Sequence, residues 1–302
     1  HPATGQLAGP HSRAYSDLLK QGAKSYLEWA VFGQDIGTFE YDHVEETVIP
    51  LPCPDEYVNR FNALSETEII QCDTFIKRDS YPGSVCGTTW MNEEVTLGCI
   101  NRECFWTQRR PLIGYWLDEA GNPAVLRLRM LKDGKDFSSG GLHNVQDRNK
   151  IITGINFFVD RGDFHIHLDK PEDGVFKMNS LLLRFELTGK GAVINDETEL
   201  KCGNWKAVVK TLPGEFNGKS VQWRSGSHED CVYLEAVLYE GAETDLLIDE
   251  STCIKLALAT EILPEHATAS IETPQVNELD GQLKLSSGNM SLTYNHFAEN
   301  YD

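Results

Sequence analysis

The sequence has few basic residues and no long apolar run. Its 302 residues include 27 Lys and Arg against 46 Asp and Glu, which gives a formal net charge of −19. A surface this acidic repels phosphate backbones and anionic lipids. No stretch reaches the roughly 18 to 20 apolar residues that a membrane-spanning helix needs. We therefore expect a chain that neither binds nucleic acid nor spans a membrane.

Several catalytic signatures are also missing. The sequence contains no G-x-S-x-G nucleophile elbow, no phosphate-binding loop and no Rossmann glycine fingerprint. Their absence argues against the common serine hydrolases and against nucleotide-dependent enzymes. The hydrophobic content of 40% and the aromatic content of 10% are nevertheless sufficient for a sizeable core, so the chain is expected to be globular.

Cysteine is the most informative residue type present. Five of the eight cysteines fall between Cys53 and Cys104, in a segment rich in Pro, Asn, Asp and Thr. An even number concentrated in a loop-rich segment is typical of a disulfide framework, which requires an oxidising compartment. Free thiols and a metal site are the alternatives. The cysteines predicted to form disulfides are Cys53, Cys72, Cys86, Cys99, Cys104, Cys202, Cys231 and Cys253.

Two further features agree with secretion. The chain begins at His1 rather than at Met, as a processed secreted protein would. Asn289 begins an Asn-Met-Ser sequon for N-linked glycosylation. Together with the predicted disulfides, these features favour a secreted, extracellular glycoprotein.

The hydrophobic pattern predicts a mainly β fold in one domain, 1–302, with three parts. Residues 12–33 are predicted to form an N-terminal helix, because apolar residues recur there at intervals of three and four. Residues 34–110 form a Cys-rich, irregular part with disulfide-tied loops. Residues 111–302 alternate between apolar and polar in short runs separated by turn residues, which predicts a single β-sandwich, of jelly-roll type by preference.

The run Phe164-His-Ile-His-Leu-Asp169 is the sharpest candidate site. Strand alternation places His165, His167 and Asp169 on one face. Two imidazoles about 7 Å apart beside a carboxylate can bind a divalent metal or transfer a proton. A polar strand face that is merely exposed to solvent is the alternative.

This run resembles two metal-binding motifs. The His165-x-His167 pair, with Glu172 following, is similar to the start of the cupin metal motif. The run is also similar to the HxHxDH signature of the metallo-β-lactamase hydrolases, with Lys170 in place of the last histidine. Either resemblance implies a divalent metal held by His165 and His167. Separately, His1 resembles the N-terminal histidine of the copper brace in lytic polysaccharide monooxygenases, which implies a copper-dependent secreted enzyme.

Two other predicted strands place long polar side chains on one face: Arg127 and Arg129 in one strand, Arg184 and Glu186 in the other. If these strands neighbour the His165 strand, one sheet presents Arg, His and carboxylate groups together. Such a face suits a polysaccharide, because arginines pair with uronate carboxylates while a histidine takes the proton in β-elimination. Cross-strand charge pairing that only solubilises the face is the alternative.

The polar stretch 141–148 adds His143 and Gln146 as candidates, because loops at a sandwich edge often carry functional residues. Paired carboxylates for glycoside hydrolysis are also available in this acidic chain. Their possible members are Glu235, Glu240, Glu243 and Asp245.

These observations favour a secreted carbohydrate-active enzyme, a polysaccharide lyase or hydrolase that acts from a polar sheet face on a polysaccharide or glycan. A non-catalytic extracellular protein that binds carbohydrate or a cell surface is the first alternative. A metal-dependent secreted enzyme, with a divalent metal at His165 and His167 or copper at His1, is the second. The catalytic candidates are His143, His165, His167, Arg127 and Arg129, and the binding candidates are Gln146, Arg184 and Glu186.

Overall fold

The residues described by the computed structural model belong almost entirely to the second of two compact units, His1–Ser65 and Glu66–Asp302. The predicted helix at 12–33 and the predicted strand at 164–169 lie outside the described residues, so both stay predictions. The described residues are 55–56, 59, 66–71, 87–92, 94–100, 111–137, 139–158, 173, 175–195, 198–249, 251–279, 281–295 and 297–298.

The first sheet has nine strands, numbered here along the chain, and its pairings are antiparallel. The short strand β6 (Lys135–Asp136) pairs with β5 (Pro123–Lys132) and is not part of the main strand order. The main order is β1 (Glu66–Gln71), β2 (Gly87–Asn92), β3 (Val95–Ile100), β4 (Leu112–Leu117), β5 (Pro123–Lys132), β9 (Val175–Thr188), β16 (Cys231–Leu247) and β15 (Gln222–His228).

The second sheet has seven strands. Strand β7 (Gly140–Asp147) pairs with β8 (Lys150–Phe158), and the short strand β22 (Phe297–Ala298) runs parallel to β8. The order is β10 (Val193–Asn195), β11 (Glu199–Cys202), β12 (Trp205–Thr211), β18 (Ala257–Pro264), β8 (Lys150–Phe158) and β22 (Phe297–Ala298). No helix in the described part of the chain has the length and apolar character that crossing a bilayer requires.

Two three-stranded sheets complete the described structure. The third sheet has the order β14 (Lys219–Ser220), β13 (Glu215–Phe216) and β17 (Ile254–Lys255). The fourth has the order β19 (Gln275–Leu279), β20 (Gln282–Ser287) and β21 (Met290–Asn295).

The two large sheets pack face to face around one hydrophobic core. Leu126, Leu128 and Phe185 enter it from the first sheet, and Ile155 and Leu258 enter it from the second. Each of these side chains is at most 1% exposed. Burial of this kind stabilises a fold by about 1.5 to 3 kcal/mol per large side chain, so this layer is the main source of stability in the unit.

Strand β5 illustrates how the sequence forms the first sheet. Its residues alternate between buried side chains such as Leu126 and half-buried ones such as Arg127, which places one set in the core and the other on the outer face. Asp133 and Gly134 follow with φ of 49° and 78°. Positive φ at both positions is what a type I′ turn requires, and Asp-Gly favours it, so the chain reverses into β6.

The prediction of a mainly β fold is confirmed. A jelly roll is not confirmed, because β1 to β5 pair in sequential order as a meander, whereas a jelly roll consists of Greek keys. The first sheet also begins at Glu66, inside the region 34–110 that was expected to be irregular. The buried Trp90 lies between half-buried neighbours in β2, and the buried Val95 and Leu97 flank a half-buried Thr96 in β3. Both strands are too short to stand out from the surrounding turn residues.

The prediction that all eight cysteines form disulfides is not confirmed, because Cys202 and Cys231 are free thiols in the structure. Among the described residues, no disulfide joins any two of Cys99, Cys202, Cys231 and Cys253. Cys202 lies in β11 at 1% exposure, where a cysteine packs as a small apolar residue. Sequence spacing gave no sign of this burial. The other predicted disulfide cysteines, Cys53, Cys72, Cys86 and Cys104, lie outside the described residues.

We expect iodoacetamide to label Cys202 and Cys231 when the unreduced chain is denatured, because neither sulfur is held in a disulfide. Mass spectrometry of the tryptic peptides measures the label, and Cys202→Ser removes one labelled site as a control. A disulfide-linked peptide that contains either residue would contradict the structure.

A second hydrophobic cluster joins the outer face of the second sheet to the fourth sheet. Ile152 and Ala259 of the second sheet pack with Leu283 and Tyr294. The Tyr294 ring lies directly against the backbone of Gly154, so that a Cβ at residue 154 would overlap the ring. The absence of a side chain at Gly154 therefore allows the fourth sheet to dock.

Gly154→Ala should lower the free energy of unfolding by about 1 to 3 kcal/mol, because a rigid ring must move to accept the methyl group. Urea unfolding measures the loss. In a Tyr294→Ala background the same substitution should cost much less, since the overlapping ring is gone. Equal losses in both backgrounds would show that the ring is not the cause.

Candidate functional site

The outer face of the first sheet carries charged side chains in a line across four adjacent strands. In the strand register, Arg129 of β5 stands beside Arg184 of β9, Arg184 beside Glu235 of β16, and Glu235 beside Arg224 of β15. Both sequence neighbours of Arg129, Arg184 and Glu235 are buried, and Trp223, next to Arg224, packs against the core. Strand alternation therefore directs all four side chains outward. We call Arg129, Arg184, Glu235 and Arg224 the charged row.

Glu235 is the buried centre of the charged row, at 1% exposure. One carboxylate oxygen accepts a hydrogen bond from Nε of Arg184 at 2.7 Å and lies 2.6 Å from Nη2 of the same guanidinium. The other accepts from Nε of Arg224 at 2.6 Å. A buried carboxylate is tolerated only with such partners, so Glu235 fixes the positions of both guanidinium groups.

Arg224 also binds a second carboxylate in a bidentate manner. Its Nη1 and Nη2 donate to the two oxygens of Glu240 at 2.7 and 2.9 Å. Hydrogen bonding to Glu240 and Glu235 raises the pKa of Arg224, and hydrogen bonding to Arg224 lowers the pKa of Glu240. Both members of this pair are therefore charged at neutral pH.

The strand that carries Glu240 is irregular at this point. The register between β16 and β9 shifts between Val237 and Tyr239 and again between Glu240 and Thr244. The Tyr239 hydroxyl donates to the carbonyl oxygen of Ala242 at 2.6 Å, within the second irregularity. Bulges of this kind re-aim side chains next to functional sites, and this one accompanies the Glu240–Arg224 pair.

The other end of the charged row is held by two further carboxylates. Arg129 donates through Nε and Nη2 to Asp136 at 2.9 and 3.2 Å, and through Nη1 to Glu186 at 3.3 Å. Hydrogen bonding to Asp136 raises the pKa of Arg129. Glu186 is 7% exposed and lies 3.9 Å from Nε of Arg127. The arginines on this face are thus oriented by carboxylates of the chain itself.

Aromatic side chains flank the charged row. The Arg184 guanidinium lies over the Tyr233 ring, with Cζ 4.4 Å from the ring centroid. Tyr233 in turn covers Gly226 of β15, where any Cβ would overlap its hydroxyl. On β4, Tyr115 and Leu117 are 38% and 45% exposed and share the outer face with Arg127. The face therefore combines ordered charge with exposed apolar surface.

The structure brings four predicted residues together. Arg127 stands beside Glu186, and Arg129 beside Arg184, on the neighbouring strands β5 and β9. The sequence prediction did not include Arg224, because Gln222–His228 lacks the apolar alternation that marks a strand. Glu235 was considered only as one acid among several, and nothing in the local sequence marks it as the centre of the row.

Two other candidates lie elsewhere. His143 and Gln146 are in β7 of the second sheet. The His143 ring stacks on Tyr294 with centroids 5.4 Å apart, which places it across the core from the arginines. Gln146 points the other way and donates to the carbonyl oxygen of Leu97 at 2.9 Å. Neither residue joins the charged row.

His165 and His167, the remaining catalytic and metal candidates, lie outside the described residues. In the part of the chain that the structure describes, no group of three or more His, Cys, Asp or Glu is placed to hold a metal ion. A metal at His165 and His167 therefore stays a prediction.

Comparison with protein-family models, curated proteins and solved structures finds no match for the chain.

The chemistry of the charged row can be judged from its geometry. A glycosidase needs one carboxyl group with a raised pKa as general acid, whereas the pKa of Glu240 is lowered. The row instead offers hydrogen-bond donors and acceptors in fixed positions.

Glu235→Gln should lower the free energy of unfolding by about 1 to 3 kcal/mol, because two guanidinium groups lose a buried charged acceptor. Urea unfolding at neutral pH measures this. Glu240→Gln is the matched control, since it removes a carboxylate from the same Arg224 at an exposed position, and it should cost much less. A larger loss in Glu240→Gln would contradict the central role of Glu235.

Proposed function

We propose that the chain is an extracellular glycan-binding protein and that the outer face of the first sheet is its binding surface. The observation that carries the proposal is the charged row, with the exposed Tyr115 on the same face and four residues along the strand direction from Arg129, a distance of about 13 Å. The row and Tyr115 lie on the same face, from β4 through β5, β9 and β16 to β15. Four strand spacings of about 4.8 Å make this surface roughly 19 Å wide, which suits an extended ligand better than a single small molecule.

The fixed positions of the side chains in the charged row favour a ligand-binding surface over a face whose charges only keep the protein soluble. A charge that only keeps a face soluble is normally exposed, whereas Glu235 and Glu186 are 1% and 7% exposed. Burying them has a desolvation cost, which ion pairing offsets only with good geometry. The result is a set of guanidinium groups that are already ordered. A ligand rich in hydroxyl groups then meets oriented donors and acceptors at a small loss of conformational entropy.

An exposed aromatic ring on the same face fits the same ligand class. A sugar ring has apolar C–H faces, and Tyr115 supplies a ring surface with a polar hydroxyl at one end. Tyr115 is 38% exposed, so its ring is accessible without rearrangement.

The charge balance favours an uncharged glycan over the uronate polymer expected from the sequence. Arg127, Arg129, Arg184 and Arg224 all have carboxylate partners in the chain. The chain has a net charge of −19, which disfavours anionic ligands. A uronate carboxylate would have to displace a partner that is already in place.

A polysaccharide lyase or hydrolase gains no support from the described residues, because His143 lies across the core from the arginines. His165 and His167, the other catalytic candidates, lie outside the described residues. Secretion and glycosylation remain parts of the proposal. Asn289 lies in the exposed turn between β20 and β21, a position that a glycosyltransferase can reach.

Tyr115→Ala should weaken glycan binding about tenfold, because it removes an exposed ring from the surface. A neutral-glycan array followed by isothermal titration calorimetry of the best ligand measures the affinity. Val193→Ala is the control, since Val193 is an exposed apolar residue on β10 of the second sheet, and it should leave the affinity unchanged.

The same titration separates binding from catalysis. We expect the glycan to be recovered intact after prolonged incubation, with no new reducing ends and no unsaturated product. Absence of binding to every glycan would overturn the proposal. Turnover that is lost in His165→Ala with His167→Ala would replace it with the enzyme predicted from the sequence.

A further inference from the structure

A cavity of about 360 Å³ opens between the two large sheets at the edge strand β15. Alternation along β15 directs Arg224 to the outer face, as in the charged row, and Trp223 and Ser225 to the inner face. On the inner side, Trp223 and Ser225 stand in register with Ala236 and Leu234 of β16. The cavity is lined by Thr198, Thr211, Trp223, Arg224, Ser225 and Leu234.

The lining combines an aromatic ring with hydroxyl groups. Thr198, Thr211 and Ser225 supply hydroxyls that both donate and accept hydrogen bonds. The Trp223 ring and Leu234 supply the apolar surface. A few polar groups on a partly apolar wall are typical of a small-molecule site, and this volume is at the small end of the usual range of about 300 to 1,000 Å³.

Trp223 has an unused donor at this place. Its indole Nε1 is buried and has no hydrogen-bond partner among the described residues. Buried donors without partners are rare in folded proteins, and each one calls for an explanation. A ligand oxygen that enters beside the ring, after a small movement of the ring, would satisfy this donor.

The positive charge of Arg224, which lines the cavity, is already neutralised by the carboxylates of Glu235 and Glu240. Three of the five N–H groups of the Arg224 guanidinium donate to Glu235 and Glu240. The two that remain can donate to a neutral oxygen, whereas an anion would meet two carboxylates at once. An uncharged ligand is therefore favoured.

We propose that this cavity binds a single uncharged sugar ring, as the terminal residue of the glycan that lies on the outer face. The proposal rests on the proposed function and adds a second contact region to it. Arg224 connects the two, because its guanidinium belongs to the charged row on the outer face and the residue also lines the cavity at the edge strand β15. The Trp223 ring stacks on the apolar face of the sugar, and the hydroxyls at the rim bind its hydroxyl groups.

The test uses the full ¹⁵N-labelled chain and the methyl glycosides of glucose, galactose, mannose and N-acetylglucosamine. The readout is the indole Nε1–H resonance of Trp223, which the Trp223→Phe variant assigns. Trp116 is an internal reference, because its Nε1–H already donates to the carbonyl oxygen of Cys202 at 2.9 Å. At least one sugar should shift the Trp223 resonance in a saturable manner and leave that of Trp116 in place.

Thr211→Val keeps the shape of the side chain and removes its hydroxyl, so it should weaken the binding of that sugar about threefold to tenfold. Leu247→Ala, at an exposed site at the opposite end of β16 from Leu234, should leave it unchanged. Retained dispersion of the amide spectrum shows that the variants are folded.

The outcomes separate the two proposals. If a glycan binds in a Tyr115-dependent manner while no sugar moves the Trp223 resonance, the cavity proposal is overturned and the glycan-binding function stands. If sugars shift Trp223 but Thr211→Val and Leu247→Ala bind equally well, the cavity lining is not the site and the cavity proposal is likewise overturned. If neither sugars nor glycans bind, both proposals fail.

Discussion

The outer face of the first sheet depends on one buried carboxylate. Glu235 is 1% exposed and accepts hydrogen bonds from Arg184 on one side and from Arg224 on the other. A carboxylate this well buried is stable only when its partners stay in place. It therefore holds the two arginines, and through them Tyr233 and Glu240, in one arrangement across β9, β16 and β15.

This arrangement is rigid because the same strands supply the core. Leu234 and Ala236, on either side of Glu235, face the second sheet and are at most 3% exposed. Core packing on the inner face of the first sheet and ion pairs on its outer face thus both fix the backbone that carries the charged row. Irregularity is concentrated at the register shifts of β16, close to Arg224. The row and the edge cavity are consequently parts of one region rather than two unrelated features.

The two outer faces of the described core differ in what covers them. The fourth sheet covers the outer face of the second sheet, where Tyr294 packs on Gly154 and His143. On the first sheet, the corresponding face keeps half-exposed arginines and the exposed Tyr115. His143, which looked functional in the sequence, is therefore part of a packed interface, whereas the arginines of the charged row keep part of their surface exposed.

The sequence by itself determined which side chains of a strand share a face. Alternation placed Arg127 with Arg129 and Arg184 with Glu186, and the Asp133-Gly134 turn followed from the backbone preferences of those residues. Only the tertiary structure decided which strands are neighbours, because pairing between distant segments depends on long-range packing that no local pattern encodes. That packing brought β5 beside β9 and set Glu235 between two arginines. It also left Cys202 and Cys231 as thiols and moved His143 across the core.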